Sequence, residues 1–141
     1  MKSKLSENID RNDINMIVEF WVNGSDRDFQ TMNSMFEKKE YNWSLFIGHL
    51  VIEKLLKAYY VKIIGTHAPL IHNLLKLAMD SKLEFDEEKR IFFITVTAFN
   101  INARYDDYKT NFYKKCTKKF TEEWLNKITE NREWIKKQLN W

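Results

Sequence analysis

Turn-forming residues are nearly absent from this chain, which has three glycines and one proline in 141 positions. Hairpins and β-sandwiches need such residues every few positions, so their scarcity excludes those folds and leaves long helices with few loops. A single cysteine, Cys116, permits neither an internal disulfide nor a thiolate metal cluster, and the expected home is a reducing cytoplasm. The opening MKSKLSENIDRND lacks the apolar run of a secretory leader. No window approaches the ~18 uncharged apolar residues of a membrane span, so a soluble protein with no membrane partner is expected. Charge is also modest, at a net +3, but it is unevenly placed. Five lysines and no acid lie between Lys109 and Lys119, which makes one basic patch rather than a surface coated for nucleic acid.

What the chain does have is aromatic side chains, at 15%, and clear helical periodicity. Residues 1–11 are polar and read as a flexible N-terminus, and 12–141 read as one domain. A first helix is predicted from about Asn12 to Lys39, with Gly24 and Ser25 marking a close helix crossing. A second, about Tyr41 to Ile64, is apolar around most of its circumference and therefore central. Its polar residues Asn42, His49, Glu53, Lys57 and Tyr60 fall within an arc of about 80°. Gly65 ends it. A short third helix follows at about Leu70 to Ser81. Asp86 caps a fourth, whose acidic start suits the helix dipole. No charge lies between Arg90 and Arg104, and Thr97, Asn100 and Arg104 form a polar stripe. Residues 105–119 read as a loop or short helical turn, and a last helix runs from about Thr121 to Leu139. The expected fold class is all-α, a single bundle of about five helices with a four-helix up-down core plus short helices.

Three groups of residues carry candidate chemistry. Glu53 and Lys57 are spaced to pair along one helix face. With His72 and Asn100 they could line a polar pocket reached by Arg104. Buried charges must be paired wherever they occur, so the same cluster also reads as a network that fixes helix packing, and that reading is preferred. The segment YKTNFYKKCTKKF sets Lys109, Lys114, Lys115, Lys118 and Lys119 among aromatics, with Tyr105 and Tyr108 at its start. Lysines neutralise phosphates and aromatics stack on unpaired bases; the plainer reading is a solvated surface with the aromatics turned inward. His49 and Glu53 have ligand-compatible spacing, but no second histidine or cysteine lies nearby in sequence, so no metal and no cofactor are expected. Cys116 sits between Lys115 and Lys118, a setting that lowers a thiol pKa.

Several phrases taken in order resemble the HEPN domain: Trp21 with Asp28, Tyr41, IEKLLKAYYV at 52–61, APLIHNLLKLA at 68–78 and FNINARYDDYK at 99–109. The likeness runs from about residue 14 to the end. It implies a helical bundle associated with nucleotides. Many members are metal-independent ribonucleases, often toxins, that work as dimers and use an arginine followed by a histidine after four to six intervening residues. Others pair with a nucleotidyltransferase in bacterial two-gene modules, and others have lost the catalytic pair. Arg104 matches the arginine. The positions for the histidine hold Lys109, Thr110 and Asn111. Metal-free cleavage needs a group that exchanges protons near neutrality; a lysine ordinarily titrates near 10.4, and threonine and asparagine not at all in this range.

The expected function is therefore a cytoplasmic, homodimeric, nucleotide- or RNA-binding HEPN-type component of a bacterial defence or toxin–antitoxin-like module, lacking the full ribonuclease pair. A nucleotidyltransferase-type protein is the expected partner. Two alternatives stay open: an active endoribonuclease using Arg104 with Lys109 or His72, and a dimerisation scaffold without ligand.

Overall fold

The computed structural model describes residues 9–141, apart from the side chains of Asp106 and Asp107. Six helices and no strand occur among the described residues: α1 (Arg11–Glu37), α2 (Tyr41–Ile64), α3 (Leu74–Asp80), α4 (Glu87–Arg104), α5 (Asp106–Lys115) and α6 (Lys118–Gln138). The fold is all-α, and α2 is its hub, packed against every other helix. That role follows from its sequence, because a helix apolar on all sides is stable only when neighbours cover all sides. Leu45, Val51, Ile52, Leu55, Leu56, Ala58 and Val61 are completely buried along it.

Two close approaches let α2 sit at the centre. At Gly24 an added Cβ would lie 3.3 Å from the Lys54 side chain, and the buried Ser25 hydroxyl donates to the Val51 carbonyl at 2.7 Å. The crossing anticipated at these two residues is thus where α1 meets α2. Gly48 is tighter still. A Cβ there would lie 2.7 Å from Ile128 Cδ1 of α6 and 3.2 Å from the Met32 sulfur of α1.

Helix α6 closes the bundle differently on its two sides. Against α1 it uses charge: Asp26 receives Arg132 at 3.0 Å and Lys136 at 2.8 Å, and the Arg132 guanidinium lies 4.0 Å from the Phe29 ring centroid. Against α4 it uses rings. Trp124 stacks on Phe92 at 6.4 Å and meets Phe99 edge-on at 5.5 Å. Such large side chains hold the backbones apart and leave a shallow groove of about 180 Å³ between the two helices.

Three expectations about the elements need correction. Helix α3 starts at Leu74 rather than Leu70, because the Asn73 side chain caps it by accepting from Lys76 N at 3.0 Å, while Leu70 is left 79% exposed in the preceding loop. Residues 106–115 are a full ten-residue helix rather than a loop or short helical turn. Its Phe112 and the following Cys116, four apart, are both buried, and Phe112 packs 5.6 Å from Phe99. The last helix begins at Lys118, capped by Thr117 accepting from Phe120 N at 3.2 Å; Thr121 lies inside the helix. Of the expected N-terminal tail, residues 1–8 lie outside the described residues. Ile9 packs on the core and donates its amide to the Gly65 carbonyl.

Gly48→Ala tests the α2 crossing. Alanine favours a helix over glycine by ~1 kcal/mol, but overpacking a closed core costs about 1–3 kcal/mol. Urea unfolding should show a net loss of roughly 1 kcal/mol; a gain in stability would mean the crossing has slack.

Candidate functional site

The polar arc of α2 comes together around one carboxylate. Glu53 is 4% exposed. Its Oε2 accepts from Lys57 Nζ at 3.3 Å, and its Oε1 accepts from His72 Nδ1 at 2.7 Å. Lys57, itself 5% exposed, lies 5.4 Å from the centroid of the Trp21 ring on α1. A carboxylate taken from water without partners costs several kcal/mol, and this one has partners on both oxygens.

His49, one turn earlier and fully buried, secures the loop that brings His72 into reach. Its Nε2 donates to the His72 backbone carbonyl at 2.9 Å, which leaves Nδ1 as a bare, buried acceptor. Burial is the main cause that holds its pKa below the usual 6.5, against the raising effects of the His72 carbonyl and Glu53. The His72 ring is different, since its side chain is 57% exposed with only Nδ1 tied back to Glu53.

Arg104 ends α4 beside this network. Its Nε donates to the Asn100 carbonyl at 3.3 Å, and its guanidinium lies 5.8 Å from the Phe46 ring and 5.5 Å from the Tyr105 ring. The guanidinium forms no salt bridge among the described residues and remains solvent-exposed. Its positive charge reaches His49 and adds to the depression of that pKa. Asn100 is 3% exposed and its Oδ1 has no partner. Helix breaking explains why Arg104 is presented at an end: Tyr105 is extended (φ −96, ψ 131), terminating α4 and starting α5.

Sequence reasoning grouped Glu53, Lys57, His72, Asn100 and Arg104. The first three are joined by hydrogen bonds. Asn100 and Arg104 border that network without bonding to it. His49, considered only as a metal ligand, is a structural clamp, and the one signal for it was its place in the polar arc of α2. Among the described residues there is no cluster of three His, Cys, Asp or Glu that could hold a metal.

The basic segment is split between α5 and the first turn of α6. Lys109, Lys114, Lys115, Lys118 and Lys119 are all exposed. Lys109 lies 5.5 Å from the Trp43 ring and Lys115 lies 5.3 Å from the Phe120 ring. Its aromatics divide, with Phe112 buried and Tyr105, Tyr108 and Tyr113 exposed. The lowering of the thiol pKa expected from the flanking lysines is not what the structure shows. Cys116 is buried, and burial pushes its pKa up to about 12, outweighing the opposing charge of Lys115.

An all-α bundle with a buried polar seam, and an arginine at the end of the helix lining it, is the architecture the sequence phrases pointed to. The HEPN domain model matches residues 18–138, and the chain belongs to the HEPN domain family. No match was found among the curated proteins or among the solved structures. The residues that carried the resemblance have visible packing roles: Trp21 lies against Lys57, Asp28 pairs with Lys54 at 2.6 Å, and Tyr41 packs 5.5 Å from Phe36.

Glu53→Ala leaves the Lys57 charge buried without its carboxylate, so chemical unfolding should show a loss of ~3 kcal/mol. His49 predicts an acid-side weakness. Its folded pKa lies below its unfolded value, so the unfolded chain binds the extra proton first. The stability it contributes is full above about 6.5 and falls as pH drops through the folded value. Unfolding midpoints measured down from pH 7.5 should decline below that point, and His49→Gln should remove that part of the slope.

Proposed function

We propose that this HEPN protein is a homodimeric RNA- or nucleotide-binding component of a bacterial defence or toxin–antitoxin-like module, acting beside a nucleotidyltransferase-type partner and lacking the residue that would make it a ribonuclease. The observation that carries this reading is the state of Arg104. It is an exposed guanidinium set between two aromatic faces, with Lys109 over a third ring next to it. That combination neutralises a phosphate and offers surfaces on which a base can stack. The residues at the positions of the motif histidine, Lys109, Thr110 and Asn111, supply no group suited to proton transfer at neutral pH.

A second copy of the chain is supported by α4. Ile91, Ile94 and Ile101 are each about half exposed, at 54%, 45% and 45%, and lie three and seven residues apart, on one face. This stripe leads to Tyr105, also 54% exposed. Apolar stripes of this kind mark protein contacts, and pairing through α4 would concentrate binding residues from two copies.

One observation favours an active enzyme instead. His72 Nδ1 is held by the buried Glu53 carboxylate and its ring faces solvent, the way catalytic imidazoles are oriented. Incubating the protein with RNA in EDTA separates the readings. The expected result is bound but intact RNA, with affinity that falls steeply with salt and falls further in Arg104→Ala. Specific cleavage abolished by both Arg104→Ala and His72→Ala would establish the enzyme. Separately, light scattering should give a dimer mass that Ile94→Glu with Ile101→Glu reduces to that of a monomer.

A further inference from the structure

We infer that the cavity where the N-termini of α2 and α6 meet is a binding site for a phosphate monoester. It has a volume of about 390 Å³ and is lined by Lys39, Tyr41, Asn42, Tyr113, Lys114 and Thr117, with Cys116 beside them. The site lies on the α1–α2 turn and the α5–α6 junction. It shares Lys114 with the basic segment, and to that extent it rests on the phosphate-binding reading of that segment, but it does not use Arg104.

The positive character of the cavity has several independent sources. Helix α2 has no side-chain cap and no acid in its first turn. The Glu40 carbonyl takes the Ser44 amide, and the amides of Tyr41, Asn42 and Trp43 have no acceptor among the described backbone groups. Unfilled amides at a helix start attract anions. Thr117, the cap of α6, brings a second helix start to the same wall. Lys39 and Lys114 add two full charges. The nearest carboxylates in sequence, Glu37 and Glu40, do not line the cavity. Cys116 is protonated at neutral pH and contributes no negative charge.

Asn42 indicates that the space is meant to be filled. It is 4% exposed, it lines the cavity, and its side chain makes no hydrogen bond to any described residue. With no protein partner, that amide is open to one on the cavity side, and a ligand oxygen can take that place. A phosphate oxygen accepts from Asn42 Nδ2 and from the free amides, and the two lysines neutralise its charge. The volume exceeds that of phosphate alone, leaving room for an ester group along Tyr41 and Tyr113. That phosphate can come from a free small monoester or from the 5′ end of an RNA strand.

The test uses the isotope-labelled full chain, with amide shifts followed at constant ionic strength during addition of inorganic phosphate, then of short RNA carrying a 5′-phosphate or a 5′-hydroxyl. Phosphate should saturate the Tyr41, Asn42, Trp43 and Lys118 amides. Lys39→Gln with Lys114→Gln should weaken this about tenfold or more, and Asn42→Asp, which keeps the shape and adds a repelling charge, should abolish it. Tighter binding of 5′-phosphorylated RNA identifies an RNA end as the source, and equal binding of both strands identifies a free monoester. Amides that stay still, or that move equally in the double variant, overturn the inference. If RNA binding is then still lost in Arg104→Ala, the function proposed above stands without this site.

Discussion

A carboxylate in the middle of the central helix is the constraint on which this structure turns. Glu53 lies on the one helix that touches all the others, in a position from which water is excluded. An unpaired charge there would cost several kcal/mol, so the surrounding chain is organised to meet it. Lys57 comes from the next turn of the same helix, and His72 comes from the loop before α3. His49 holds that loop by its backbone, and Trp21 of α1 covers Lys57. The network thereby fixes how α1, α2 and the 65–73 loop meet, which apolar packing alone would leave less specific.

This arrangement divides the polar residues by job. Glu53 and Lys57 are buried and paired with each other, and the buried His49 is committed to the His72 carbonyl, so their chemistry is spent on architecture. Arg104, the exposed edge of His72 and the lysines of α5 and α6 face solvent. Proximity therefore does not make the whole cluster an active site. Arg104 is neighbour to a buried neutral imidazole, which has its Nε2 committed to a carbonyl and its Nδ1 shut away from solvent. Such a histidine cannot replace the one missing after Arg104.

The α2 helix was legible because its apolarity is all-round, a pattern that one-faced surface helices do not share. Gly24 with Ser25 and the Asp86 cap were legible because small residues and caps have local causes. The stretch from 105 to 119 was not. Its lysines and aromatics hide the spacing of Phe112 and Cys116, whose burial is decided by rings on α4. The start of α3 failed for a similar reason, since Leu70 looks like a helical core residue yet lies in the loop that His49 pins. Cys116 shows the limit of arguing from sequence neighbours: Lys115 does act on it, but burial, which spacing does not reveal, acts more strongly. The residues grouped around Glu53 do lie near one another in the fold. What the sequence could not supply was which of them bond to one another, because Glu53 and His72 lie 19 positions apart.

In the proposed function Arg104 is the ligand-facing member of this set, while His49 serves only the fold. Side-chain nuclear magnetic resonance addresses it directly, by following the Arg104 Nε–H and the two imidazoles as single-stranded RNA is added. The Arg104 signal should shift and broaden, the exposed His72 ring should respond, and His49 should not move. A His49 signal that shifts with RNA while Arg104 stays unchanged would contradict that assignment.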